Sequence, residues 1–262
     1  MDALNPMQRK AVDCLVGPLL IMAGAGSGKT KVLTCRVANL LAHGVAPYRI
    51  LAITFTNKAA AEMRERVDWL VGSAAKDVWL STFHSFCARL LRYEIDALDG
   101  YGKNFVIYDA SDSKTVVKDC LKEMNLDEKQ YPPAQIQAAI SDAKNQMMAP
   151  EAFAQTADSF HRQKMAEVYA AYQRVLRKNN ALDFDDLLML AVRLLQTSEE
   201  VREKYQKRFQ YILVDEYQDT NHLQYELMRL LVGPSQNIHV TGDPDQSIYS
   251  WRGADYHNIM SF

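Results

Sequence analysis

The sequence predicts an α/β protein built around a parallel sheet with helices on both faces. Short apolar runs, typical of buried strands, alternate with amphipathic helical stretches, which is the pattern of βαβ units. A glycine-rich loop joins the first of these strands to the helix that follows it. The alternation is interrupted over residues 109–179, where the spacing of apolar residues indicates helices only.

Five apolar runs are predicted to form the strands of this sheet, because each is short and is bounded by turn-forming residues or by a helical pattern. They cover residues 18–23, 50–55, 78–82, 211–216 and 237–243. The helices beside them carry apolar residues at intervals of three or four. These helices are expected to end at Gly44, Gly72, Ala97 and Leu231.

The interrupting segment is predicted to be a small all-helical domain inserted into the α/β one. Helical patterns are found around residues 111–124, from 132, from 150 and over 165–176. Proline favours the first turn of a helix, which explains the prolines at the second and third starts. We therefore expect residues 1–108 and 180–262 to form a discontinuous core and residues 109–179 the insert.

Composition excludes several classes of protein. The 262 residues are 48% apolar and 24% charged, which is ordinary for a globular protein and opposes disorder or a fibrous repeat. No apolar run is long enough to span a membrane, and the N-terminus lacks a signal core. Four dispersed cysteines favour a reducing, cytoplasmic setting. The net charge of −2 gives no bulk indication of nucleic acid, so such binding must depend on local sites.

The segment AGAGSGKT is the strongest local signal, since it follows a predicted strand and opens a predicted helix. Small residues let backbone N–H groups approach phosphate oxygens, and a helix N-terminus favours an anion. Lys29 is expected to reach the β- and γ-phosphates and the Thr30 hydroxyl to ligate Mg²⁺. This context favours a phosphate loop over a turn that binds nothing. Its expected nucleotide-binding residues are Ala23, Gly24, Ala25, Gly26, Ser27, Gly28, Lys29 and Thr30.

A second acidic site is needed to hold Mg²⁺, and the segment VDEYQD supplies it. Asp215 ends an apolar strand, where its carboxylate can meet the metal beside Thr30. Glu216 is a candidate to polarise the attacking water. Two carboxylates at an ordinary strand end are the simpler interpretation of this segment alone, but the phosphate loop favours the functional one.

The segment DFDD contains three carboxylates, Asp183, Asp185 and Asp186, and could be taken for a metal cluster. No other set of ligands lies near it in the sequence. We therefore interpret it as a helix N-cap and a fold element, because aspartate is a favoured N-cap residue.

Seven segments, taken in order, resemble the motifs of superfamily 1A DNA helicases, the UvrD/Rep/PcrA group, and within it the PcrA-like members. They are LNPMQRKAV, AGAGSGKT, TFTNKAAAEMRERV, STFHSF, LDFDDLL, VDEYQDT and VTGDPDQSIYSWRGA. The resemblance covers all 262 residues. It implies a fold of two RecA-like cores, each with an inserted domain, of which this chain corresponds to the first P-loop NTPase core and its helical insert.

The resemblance implies a parent protein that is an ATP-dependent 3′-to-5′ DNA helicase or translocase. It implies ATP and Mg²⁺ as cofactors and single-stranded and duplex DNA as partners, with repair or replication proteins unspecified. Since the second core supplies an arginine finger, the fragment is expected to bind Mg-ATP and hydrolyse almost none. Three alternatives stay open: a helicase–nuclease of the AddA/RecB type, an isolated nucleotide- or DNA-binding module, and a nucleotide kinase, which the segment around Gln246 opposes.

The same resemblance assigns roles around the nucleotide. Gln8 would pair with the adenine edge, and Lys31 stands where the family has an arginine that stacks on the base. Gln246 would contact the γ-phosphate and the attacking water, and Arg252 the γ-phosphate. Without the resemblance, a surface glutamine and a surface ion pair are the simpler interpretations of Gln8 and Arg252. The expected catalytic residues are Lys29, Asp215, Glu216, Gln246 and Arg252.

Residues for DNA are also implied by the resemblance. Aromatic side chains would stack on the bases of a single strand, and polar side chains beyond strand ends would bind backbone phosphates. Core packing remains an alternative for Phe55, and a lone His84 would otherwise be structural. The expected DNA-binding residues are Thr54, Phe55, Thr56, Asn57, Lys58, Thr82, His84, Tyr249 and Trp251.

Overall fold

The chain divides into two compact units. A computed structural model describes residues 4–24, 26–243 and 245. One unit is formed by the residues up to Phe86 and from Leu195 onwards, and the other by Cys87–Leu194. The segment expected to be the insert, residues 109–179, lies within the second unit, and its boundaries stay a prediction.

The strands fall into two groups. They are β1 (Leu19–Met22), β2 (Ile50–Thr54), β3 (Trp79–Thr82), β4 (Val106–Tyr108), β5 (Ala181–Asp183), β6 (Tyr211–Val214) and β7 (Ile238–Gly242). In the first unit, β1, β7, β6, β2 and β3 form a sheet in that order, and every pairing is parallel. The predicted α/β class with a parallel sheet is confirmed.

Helices connect these strands. They are α1 (Pro6–Asp13), α2 (Lys29–Ala42), α3 (Asn57–Val71), α4 (Phe83–Glu94), α5 (Ala110–Glu123), α6 (Pro133–Asn145), α7 (Pro150–Gln155), α8 (Phe160–Lys178), α9 (Phe184–Thr197), α10 (Glu199–Arg208) and α11 (His222–Leu231). The helix expected to reach Ala97 ends at Glu94, and a 3₁₀ turn completes it. The strand expected over 211–216 ends at Val214, because Glu216 adopts left-handed backbone angles that a strand does not accommodate.

Both faces of the sheet are covered. Successive residues of a strand point to opposite faces. Leu80 packs with Leu33 of α2 and Met63 of α3 in one apolar cluster. Its neighbour Trp79 lies against Phe86 of α4, with ring centroids 5.4 Å apart. The strands β2 and β7 are buried along their whole length, as expected for the interior of such a sheet.

The second unit is helical around a short parallel pair of strands, β4 and β5. Its apolar core draws on α5, α6, α7 and α8, with Val117, Ile136, Phe153 and Tyr169 among the buried residues. No helix among the described residues is long and apolar enough to cross a membrane.

The DFDD segment caps α9 and closes a buried ion cluster. Asp183 Oδ1 accepts from the backbone N–H of Asp186 at 2.8 Å, and Asp186 Oδ2 accepts from that of Asp183 at 3.2 Å. The Lys144 ammonium lies 2.6 Å from Asp183 Oδ2 and 2.8 Å from Asp186 Oδ1, fully buried. Tyr172 donates to Asp183 at 2.8 Å. A buried lysine therefore offsets part of the charge of the two carboxylates. The described residues contain no metal-binding group of three or more acidic, histidine or cysteine side chains.

Candidate functional site

The loop between β1 and α2 depends on glycine for its path. Gly26 and Gly28 have φ angles of 71° and 82°, in the left-handed region that residues with a Cβ rarely adopt. Gly28 is also the N-cap of α2, and a Cβ there would lie 3.0 Å from Gln8 Nε2. The loop therefore leads directly into the N-terminus of α2, where backbone N–H groups and the positive end of the helix dipole suit a phosphate group.

Lys29, the first residue of α2, lies over this loop. Its side chain is 7% exposed, and Nζ donates to the carbonyl oxygens of Ala23 at 2.8 Å and Gly24 at 3.3 Å. The carboxylate of Asp243, which directly follows β7, lies 3.9 Å from the same nitrogen. The Lys29 ammonium is thus held beside the phosphate loop by oxygen atoms that phosphate oxygens can replace.

Thr30 and Asp215 meet, although 185 positions separate them in the chain. Thr30 Oγ1 donates to Asp215 Oδ2 at 2.8 Å, and the Thr241 hydroxyl donates to Oδ1 of the same carboxylate. Neighbouring oxygens around Mg²⁺ lie about 3.0 Å apart, since each is about 2.1 Å from the metal in an octahedral shell. The Thr30 hydroxyl and the Asp215 carboxylate therefore fit one Mg²⁺, whose other ligands would be phosphate oxygens and water.

Glu216 is held in an uncommon backbone conformation, with φ 52° and ψ 45°. Its N–H donates to Asp215 Oδ1 at 3.0 Å, and its carboxylate accepts from Gln218 Nε2 at 2.8 Å. Left-handed angles outside glycine often mark functional positions. Burial, and then the charge of Glu216, raise the pKa of the Asp219 carboxyl to about 6. The Glu216 carboxylate, which the Gln218 amide holds in place, can accept a proton from water.

Gln8 reaches the phosphate loop from α1. Its Nε2 donates to the Ser27 carbonyl at 2.8 Å, and its Oε1 accepts from the N–H of Asn5 at 2.9 Å as half of a capping box. Both ends of the amide thus have protein partners, while one N–H and one lone pair of the amide are not used by these two hydrogen bonds. Lys31 is half-buried in the first turn of α2. The adenine role of Gln8 stays a prediction.

The carboxyl ends of β2 and β3 carry the polar residues expected to bind DNA. Thr54 and Thr82 are paired neighbours in the two strands, so both strands end at one edge. The Asp215 N–H donates to the Ile53 carbonyl at 3.1 Å, which places the end of β6 at the same edge. Ligands of open α/β sheets bind at this edge, so the nucleotide residues and the expected DNA residues share it.

Exposure divides the expected DNA-binding residues into two groups. Thr56, Asn57 and Lys58 are exposed at the start of α3, where Thr56 caps the helix through the Ala59 N–H. Thr54 and Thr82 are buried, and their hydroxyls donate to Thr56 O and Ser85 Oγ at 3.3 and 3.0 Å. In this structure the exposed group can meet a phosphate backbone, whereas the buried pair shapes the loops beneath it.

Two ring-bearing residues lie at the same edge. Phe55 is half-buried and packs on Phe83, with ring centroids 5.3 Å apart, so the ring both contacts the core and keeps an accessible surface. His84 is half-buried, and its burial lowers the pKa of the imidazole and so favours the neutral ring.

Comparison with known proteins finds similarity to one protein family along the chain. The sequence pattern of the UvrD/REP helicase N-terminal domain matches residues 4–262. The chain belongs to this family. It is 54% identical over 263 aligned residues to the ATP-dependent DNA helicase PcrA of Bacillus subtilis, covering 100% of this chain and 36% of that protein. The PcrA proteins of Staphylococcus epidermidis and Staphylococcus aureus are 54% and 53% identical, again over 36% of their length. The chain thus spans about a third of the length of these relatives.

Some expected site residues of this UvrD/REP-family chain lie outside the described residues. They are Ala25, Gln246, Tyr249, Trp251 and Arg252. Their roles stay predictions from the family resemblance.

Three residues at the candidate nucleotide site were not predicted from the sequence: Asp243 beside Lys29, Thr241 beside Asp215 and Gln218 beside Glu216. Each lies in a segment already notable for its motif, VDEYQDT or VTGDPDQ. The available signal was that polar residues end or follow buried strands there. Their partners could not be read from the sequence, because β6 and β7 become neighbours only in the folded sheet.

Proposed function

We propose that this chain forms the ATP-binding core of a 3′-to-5′ DNA helicase or translocase and provides part of its track for single-stranded DNA. The observation that carries the proposal is the 2.8 Å hydrogen bond between Thr30 and Asp215, with Lys29 beside them over the phosphate loop. These three residues come from two distant segments and converge on one point. Membership of the UvrD/REP family and the helicase names of its relatives support the same conclusion.

In this proposal each side chain has a distinct task. Lys29 exchanges its carbonyl partners for β- and γ-phosphate oxygens, and the N–H groups of the loop bind the same phosphates. Thr30 and Asp215 hold Mg²⁺, which when bound offsets phosphate charge. Glu216 orients the attacking water and accepts its proton. Gln246 and Arg252 are expected to complete the γ-phosphate site.

The DNA contacts follow from the shared edge of the sheet. The exposed Asn57 and Lys58 are suited to backbone phosphates, and the accessible side of Phe55 to a base. The strand β2, which precedes these DNA residues, pairs directly with β6, which Asp215 follows, so the DNA and nucleotide residues are adjacent in the sheet. We propose the reducing cytoplasm as its compartment, in keeping with four free cysteines.

The decisive experiment is nucleotide binding by calorimetry with a non-hydrolysable ATP analogue and Mg²⁺. Lys29→Ala should abolish binding, because the γ-phosphate loses its cation. Lys76→Ala, which removes an exposed lysine outside the site, is the matched control. DNA-stimulated ATP hydrolysis and strand displacement by the full-length gene product then test the helicase activity. Unchanged analogue affinity in Lys29→Ala would contradict the site, and hydrolysis indifferent to DNA would contradict the helicase.

A further inference from the structure

Gln218 is a buried glutamine that joins the two acidic segments of the nucleotide site. It follows β6 in the turn Tyr217–Asp219 and is 1% exposed. Its Nε2 donates to Glu216 Oε2 at 2.8 Å. Its Oε1 accepts from the backbone N–H of Asp243 at 3.0 Å. One side chain therefore contacts both the expected catalytic base and the first residue after β7.

Only an amide meets both requirements. The amide has two donors on nitrogen and an acceptor on oxygen, whereas a carboxylate can only accept and a thioether does neither to a useful degree. The partner on one side is an acidic side chain and on the other a backbone N–H. The Gln218 amide satisfies both partners. Because the side chain is buried, losing either hydrogen bond would leave a polar group unsatisfied.

The two contacts link residues that act on different parts of the nucleotide. Asp243 lies 3.9 Å from the Lys29 ammonium and 25 positions from Gln218 along the chain. The segment after Asp243 leads in sequence towards Gln246, which is expected at the γ-phosphate. The Glu216 carboxylate accepts a hydrogen bond from the Gln218 amide, which favours one orientation of the carboxylate.

We infer that Gln218 is a positioning residue, which fixes the Glu216 carboxylate for proton transfer by joining it to the backbone of Asp243 at the end of β7. The inference rests on the proposed ATPase function. It adds that Gln218 connects the end of β6 to the end of β7. Gln218 itself contacts neither phosphate nor metal in this scheme.

The test compares Gln218→Met and Gln218→Glu with Gln224→Met in the full-length gene product. Methionine keeps the length of the side chain and removes both hydrogen bonds. Glutamate keeps an acceptor for the Asp243 N–H but replaces the donor to Glu216 with a second carboxylate, which repels it. Gln224 is the matched control, since it is 7% exposed and its Oε1 accepts from the Asn221 N–H at 2.9 Å, at the start of α11. The measurements are kcat and KM for ATP with single-stranded DNA, analogue affinity and melting temperature.

A misplaced general base loses much of its contribution, so kcat should fall about 10- to 100-fold in both Gln218 variants. KM and analogue affinity should stay within about threefold, because Lys29, Thr30 and Asp215 are retained. Gln224→Met should lower the melting temperature with kcat within about twofold of the wild type. The inference is overturned if Gln218→Met keeps its kcat, if Gln224→Met loses as much, or if weaker nucleotide binding explains the loss. A wild type without DNA-stimulated hydrolysis refutes the proposed function and the inference together, whereas an active wild type beside an equally active Gln218→Met refutes the inference alone.

Discussion

His239 should make the stability of the first unit strongly dependent on pH. The ring is completely buried in β7, and the Arg36 guanidinium lies 2.8 Å from Nδ1 and 3.1 Å from Nε2. Arginine can only donate, so at least one ring nitrogen accepts and the imidazole must be neutral. Burial, and then the charge of Arg36, lower its pKa to about 3.

The sign and size of the effect follow from proton linkage. In the unfolded chain the imidazole has its ordinary pKa of about 6.5 and takes up a proton as the pH falls through that value. In the folded protein the same ring takes up a proton only at about pH 3. This contribution to stability is present above pH 6.5 and is lost progressively towards pH 3. At pH 5 the unfolded state gains about 2 kcal/mol from His239 alone.

The assay is urea unfolding at pH 8 and pH 5, followed by tryptophan fluorescence. Trp69 and Trp79 both belong to the first unit. His239→Gln keeps an acceptor for Arg36 and cannot be protonated, so its stability should fall about 2 kcal/mol less than that of the wild type between the two pH values. His43→Gln, at an exposed histidine, is the control. Equal losses in His239→Gln and the wild type would refute the argument that the ring is held neutral.

Three further changes have expected outcomes. Lys144→Met should lower the free energy of unfolding by about 3–5 kcal/mol, because two carboxylates are left buried without their cation. Lys207→Met removes one partner of an exposed ion pair and should change the free energy of unfolding by less than about 1 kcal/mol. Denaturant titration measures both, and equal effects would contradict the role of burial. Thr241→Val should weaken Mg²⁺-dependent analogue binding about tenfold, because Asp215 loses one donor, and calorimetry with and without Mg²⁺ checks this. Lys58→Ala should reduce the salt dependence of single-stranded DNA binding by about 0.7 in the logarithmic slope, and an unchanged slope would remove Lys58 from the track.

Local sequence pattern was sufficient for the five strands of the main sheet and for part of the site, whereas the short strands β4 and β5 were not predicted. Strand bounds agree within one or two residues, because a buried parallel strand needs an uninterrupted apolar run and few other segments supply one. The phosphate loop was predictable for a similar reason, since its glycines and Lys29 lie in one short segment between a strand and a helix. The exceptions occur where backbone conformation departs from the pattern, as at Glu216, whose left-handed angles end β6 early.

Contacts between distant segments were decided only by the tertiary structure. The order of strands brings β7 between β1 and β6, so that Asp243 meets Lys29, Thr241 meets Asp215 and Gln218 spans the two acidic segments. Burial likewise separates Thr54 and Thr82 from the exposed Thr56, Asn57 and Lys58, although all five looked equivalent as polar residues at strand ends. The sequence by itself determined the residue types and the local conformations, since these depend on neighbours along the chain. The packing of the sheet determined which polar atoms face one another, since hydrogen-bond partners are selected by distance in space.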